Sequence, residues 1–152
     1  QISWPIFGFI GGMFIVVEAV NSTNLTQQFG QVLLHLSGGT PFGAVMIGTL
    51  GAAFGTNMVN NVPAAVVLTS SLHGIQHTSS HIQQAFTAAT IFGCDLGPNL
   101  TTVGSLATVF WLLFLRQRNM DVSGLDYFKV GVVVTPLMLV IGALTIWLLL
   151  IV

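Results

Sequence analysis

Two short stretches carry most of the chemistry available to this chain. FGCDLGPNL, at residues 92–100, sets Asp95 among two glycines and a proline, with Asn99 close behind and Thr101 and Thr102 following. GTNMVNNVP, at residues 55–63, supplies Asn57, Asn60 and Asn61. Asparagine amides and threonine hydroxyls donate and accept hydrogen bonds without charge, and a carboxylate takes up and releases a proton. Such a set suits a neutral or weakly charged hydroxylated solute, or a cation exchanged against protons. Asp95 is the natural proton or cation carrier, because an intramembrane carboxylate is costly and usually functional. The plainer alternative is a proline kink with Asp95 satisfied by a neighbour and the asparagines serving as helix caps.

Other chemistries find less support. His73, His77 and His81 recur every four residues, but Gly74 and the Thr-Ser-Ser run indicate a loop, and no carboxylate or cysteine is close. No metal site and no cofactor are expected. His35 reads as an interfacial residue. Cys94 is the only cysteine, which rules out a disulfide or thiolate cluster within the chain. No spacing fits a nucleophilic triad, a phosphate loop or a nucleic-acid surface, so neither an enzyme nor a nucleic-acid binder is indicated. Glu18, near the end of the first apolar run, suits either a structural place or a position on an ion pathway.

The elements that must position these groups are set by composition. Of 152 residues, 53% are hydrophobic and 5% charged, with a net charge of −1. Ordinary soluble domains carry roughly a quarter charged residues. Residues 4–20, 101–115 and 130–152 are nearly free of charge, and crossing a bilayer takes ~20 such residues. The fold class is therefore all-α integral membrane. The first run lacks a basic n-region and a small-residue cleavage site, so it reads as a span and not a signal peptide. The missing initiator Met suggests a piece of something longer.

Along the chain, residues 4–20 form a first span. Residues 25–37 (LTQQFGQVLLHLS) are too polar to cross and suit an interfacial helix, ended by Gly38, Gly39 and Pro41. Residues 40–73 read as a re-entrant helical hairpin. Its arms are about a dozen residues each, and it turns at residues 57–61. Residues 82–115 read as a broken span. Its break lies at 93–99, where Pro98 biases Gly97 away from the helical region and Asn99 caps the second arm. Residues 123–129 suggest a short interfacial helix, and 130–152 the last span. Glycines 8, 11 and 12, and 48, 51 and 55, have the spacing of closely packed membrane helices. Arg116, Arg118 and Lys129 are the only Lys or Arg, so the loop at 116–129 is expected in the cytoplasm and the 73–81 loop outside. The hairpin then enters from the outer face. Paired helix breaks near the midplane are how many secondary transporters build a site.

GTNMVNNVPAAVVL (55–68), GCDLGPNLTTVGSLATVFWLLFLRQR (93–118) and GGMFIVVEA (11–19) together resemble the C-terminal half of ArsB-type arsenite efflux permeases, in the ion-transporter superfamily. The stretch from Asp95 to Ser105 is specific to that family; the Asn-Asn-x-Pro element is shared more widely. The resemblance implies two inverted repeats, each with a re-entrant hairpin and a discontinuous helix. Residues 1–152 would be the C-terminal one, with the N-terminal repeat missing. It also implies export of arsenite and antimonite across the inner membrane against inward protons, alone or with a separate ATPase. Neutral arsenic hydroxide wants amide and hydroxyl partners, so the expected site is Asn57, Asn60, Asn61, Asn99, Thr101 and Thr102, with Asp95, alone or together with Glu18, carrying the proton. A soft tris-thiolate site would need three cysteines, which leaves Cys94 a bystander or minor contact. Sodium–proton or organic-anion transport on the same fold is the alternative, the latter disfavoured because no Arg or Lys lies near the site. A non-transporting structural subunit is the second alternative.

Overall fold

The computed structural model describes residues 4–23, 25–72, 78–102 and 104–151, and among these all regular structure is helical. Among the described residues seven α-helices follow in order: α1 (Trp4–Asn21), α2 (Leu25–Leu36), α3 (Pro41–Val59), α4 (Asn61–Leu72), α5 (Ser80–Leu96), α6 (Leu106–Gln117) and α7 (Gly124–Ile151). A 3-10 turn, Gly97–Leu100, follows α5 directly. His73 and His77 lie outside the described residues. His81 is exposed, and no cluster of metal-binding side chains occurs among the described residues.

Local sequence explains most boundaries. Gly38 and Gly39 both take positive φ, 62° and 65°, which glycine adopts at no steric cost, and they end α2. Thr40 then caps α3, its hydroxyl accepting from the Gly43 amide at 3.0 Å, with Pro41 in the first turn. Ser123 caps α7. Its hydroxyl accepts from the Asp126 amide at 3.1 Å and donates to the Asp126 carboxylate at 2.6 Å.

That cap overturns one expectation. Residues 123–129 are not a separate interfacial helix but the first turns of α7, a single 28-residue helix. Pro136 lies inside it without ending it. Among the described residues, Gly124–Leu150 is the helix long and apolar enough to cross a membrane. α1 occupies the residues expected to form the first span, and its Gly11–Val20 part is a shorter apolar helix. α2 occupies the residues expected to form an interfacial helix, and its inner face, Thr26, Gly30 and Leu33, is buried. Gly30 lies hard against the Ser71 backbone of α4.

The core forms where α3 meets α5, the most extensive helix pair. Ala44, Val45, Ala52, Ala85, Phe86 and Ala89 are buried there. Small residues let the backbones approach, as membrane helix pairs require when lipid supplies no hydrophobic drive. Gly93 and Gly97 are decisive. A Cβ on Gly93 would sit 2.4 Å from the Thr49 carbonyl oxygen, and one on Gly97 would sit 2.3 Å from the Ala53 Cα. Gly48 is similarly tight against Ala89, whereas glycines 8, 11, 12 and 55 have nothing within 4 Å. Spacing alone overstated their part in packing: a small-residue repeat closes a helix contact only where another helix faces it.

Candidate functional site

Both interrupted elements exist, and they meet. α3 and α4 are separated by Asn60 alone, held at φ 76° and ψ 156°. Non-glycine residues rarely occupy that region, and holding one there costs ~1–3 kcal/mol. The break is sharper than the expected turn over 57–61, because Asn57 remains in the last turns of α3 and Asn61 opens α4. The first arm is 19 residues long, well beyond a dozen.

The second interruption lies further along than the sequence suggested. Cys94, Asp95 and Leu96 continue α5, and Gly97 stays helical at φ −52° and ψ −44°. Without a Cβ, Gly97 tolerates the conformation that a following proline usually forbids. Pro98 sits at the start of the 3-10 turn, where its missing N–H costs little. The chain becomes extended only at Thr101, with φ −129° and ψ 158°. Ser105, not Asn99, caps the returning arm, its hydroxyl accepting from the Ala107 amide at 3.2 Å. A serine directly before the apolar run LATVFWLLFL was the signal for it.

Asn57 ties the two interruptions together. Its Nδ2 donates to the Gly97 carbonyl at 2.7 Å and to the Ala53 carbonyl at 2.8 Å. Its Oδ1 accepts from the Thr101 hydroxyl at 2.7 Å. Beside it, the Asn61 backbone N–H donates to the Gly104 carbonyl at 3.0 Å. Gly104 is buried, and a Cβ there would lie 2.8 Å from Asn57 Oδ1 and from the Pro98 backbone. Gly104 was not singled out from the sequence; a lone glycine in a break has no periodic signature.

The expected site residues therefore divide. Asn57 and Thr101 are hydrogen-bonded to each other, and the Asn61 backbone is bonded to Gly104, which packs close against Asn57. Thr102 follows directly and is half-buried, as are Asn60 and Asn61. Asn99 is exposed and borders a cavity of about 370 Å³ against α6 and α7, with Trp111, Tyr127, Gly131 and Thr135 on its walls. The Trp111 and Tyr127 rings are 6.3 Å apart between centroids. Asp95 is exposed on α5, two residues before the 3-10 segment, and not in the break. Glu18 is exposed near the end of α1. Cys94 is buried at 6% exposure within the core cluster.

The tie also limits what each group can offer. An asparagine amide has two N–H donors and two acceptor lone pairs. Asn57 spends both donors on carbonyls and one acceptor on Thr101. What remains at the junction is acceptor capacity on Asn57 Oδ1 and Thr101 Oγ1, which suits a ligand rich in O–H donors.

Comparison with known proteins identifies the family. The chain is 36% identical over 132 residues to an arsenical pump membrane protein of Escherichia coli K12, covering 87% of this chain and 30% of that protein. It is 25% identical over 134 residues to a putative arsenical pump membrane protein of Bacillus subtilis, covering 88% of the chain and 30% of the relative. It is 27% identical over 152 residues to a 46 kDa membrane protein of Mycobacterium leprae, covering 97% and 35% respectively. The chain thus spans about a third of the length of these relatives. No solved structure matches it. The family model for arsenical pump membrane proteins matches residues 1–150, and the chain belongs to that family, ArsB.

Proposed function

We propose that the complete protein is a multi-pass transporter of the inner membrane that exports trivalent arsenic and antimony hydroxides in exchange for entering protons. This segment would be the C-terminal of two inverted repeats. The observation that carries the reading is the Asn57 tie between two interrupted elements. It brings helix ends, extended backbone and uncharged polar side chains to one place in an otherwise apolar chain. Non-helical backbone at membrane depth is tolerated only inside protein or beside a water-filled cavity, and paired helix breaks are where many secondary transporters bind a polar solute.

Neutral As(OH)3 presents three O–H groups and no charge. The remaining acceptors of Asn57 and Thr101 suit its hydroxyl protons, and the Asn61 and Thr102 side chains supply further amide and hydroxyl partners. Asn57 and Thr101 then act first as positioning residues, because most of their capacity is spent on each other. Asp95 is the proton carrier, exposed on α5 two residues before the 3-10 segment. Burial of Cys94 in the core argues against a thiolate contact with arsenic. Residues 116–129, from the end of α6 through the first turns of α7, face the cytoplasm and bear Arg116, Arg118 and Lys129, a suitable surface for an arsenite-stimulated ATPase.

Asn61→Ala tests the site. Losing a hydrogen bond worth ~1 kcal/mol should raise KM for arsenite roughly fivefold, with the folded amount of full-length protein unchanged. Uptake of radioactive arsenite into everted vesicles measures this. An unaltered KM would remove Asn61 from the site.

A further inference from the structure

α5 packs against α3, α4 and α7. Its remaining side carries Ser80, Gln84, Thr87, Ile91 and Asp95, all exposed. Successive spacings of three or four residues keep them on one helical face. From Ser80 to Asp95 that face runs about 22 Å at the helical rise per residue. A groove of about 440 Å³ follows its first half, lined by Ser80, Gln83, Gln84, Thr87, Ala88 and Ile91.

The contrast with the other outward faces is chemical. Exposed positions on α7 include Val133, Leu137, Ile141 and Leu148, and on α1 Phe14, Ile15 and Val16. Those faces suit hydrocarbon. An amide, hydroxyls and a carboxylate in one line do not, because lipid offers them no hydrogen-bond partner. Thr87 satisfies itself on the Gln83 carbonyl at 2.8 Å, which leaves the Gln84 amide and the Asp95 carboxylate as the groups that most need water. The line begins at the loop expected on the outer side and ends at the proposed proton carrier.

We propose that this face of α5 walls a water-filled route from the outer surface to Asp95, along which protons arrive and the neutral arsenic hydroxide leaves. The inference rests on the transport reading above, but its test reads water access and not transport. In the full-length protein freed of cysteine, with Cys94→Ser in this segment, single cysteines are placed at Gln84, Thr87 and Ile91 on the route and at Leu137 and Ile141 on α7. Intact cells are treated with a membrane-impermeant cationic methanethiosulfonate, and arsenite transport is measured separately on the same variants. Thiolate forms only where water reaches, so the three α5 cysteines should react at least ~10-fold faster than the two on α7. Ile91→Cys is the sharpest case, since its native side chain is as apolar as those on α7. Equal rates on both helices, or reaction on α5 only from the cytoplasmic side of everted vesicles, would overturn the route. Fast outside labelling in a protein that does not move arsenite would keep the route and reject the substrate.

Discussion

Gly97→Ala will leave little folded full-length protein in the membrane. The added methyl would lie 2.3 Å from the Ala53 Cα, 2.8 Å from its Cβ and 2.9 Å from the Thr56 hydroxyl. Two of these belong to the rigid body of α3, so no flexible side-chain end can move aside. Overpacking a close contact costs ~1–3 kcal/mol where side chains can yield, and a backbone clash belongs at or above the top of that range. Gly55→Ala is the control, because nothing lies within 4 Å of that position. Size-exclusion profiles of detergent-extracted protein, taken over a temperature series, should show early loss of the monodisperse peak for Gly97→Ala alone. Equal stability of the two variants would show that α3 and α5 do not approach as described.

Asn57→Leu carries the second large effect, of a different kind. The side chain keeps its approximate volume but loses both donations and the acceptance from Thr101. With each hydrogen bond worth ~1 kcal/mol net, and more where a buried carbonyl is left without a partner, the tie contributes roughly 2–4 kcal/mol. That energy holds two interrupted elements in register. Transport should therefore fall at least ~10-fold, while the helical content seen by circular dichroism stays near wild type. Asn57→Asp separates the parts: it keeps the acceptor for Thr101 but cannot donate to Gly97, and should fail nearly as badly. Full transport by Asn57→Asp would mean that the Gly97 bond is dispensable.

Much of this was legible in the sequence, for a physical reason. Bilayer solvation imposes composition on whole segments, so membrane class and the polar interruptions at 57–61 and beyond 93 stand out against apolar surroundings. The motif around GCDLGPNLTT also pointed to the right family. Exact break positions were less legible. Proline and glycine at 97–98 look like a helix end, yet Gly97 has no Cβ to clash with Pro98, so α5 and its 3-10 turn run on to Leu100. The requirement on Gly97 is tertiary: it makes room for Ala53. Asn99 looked like a cap because caps are a local signal, but Ser105 satisfied the amides that actually begin α6. Asp95 read as part of the break, and only three-dimensional placement shows it on the outward face of α5. Likewise, the continuity of α7 through residues 123–129 follows from the Ser123–Asp126 cap, which a charge-based division of the chain passes over.

The central claim is that Asp95 couples proton entry to arsenic export through the polar junction held by Asn57. Everted vesicles bearing the full-length protein test it most directly, with an imposed pH gradient, acid inside, as the only driving force. Radioactive arsenite should accumulate in wild-type vesicles and stop accumulating when an uncoupler collapses the gradient. With Asp95→Asn, arsenite should still equilibrate but no longer concentrate. Accumulation by Asp95→Asn equal to wild type, or wild-type uptake driven by sodium and indifferent to pH, would contradict the account.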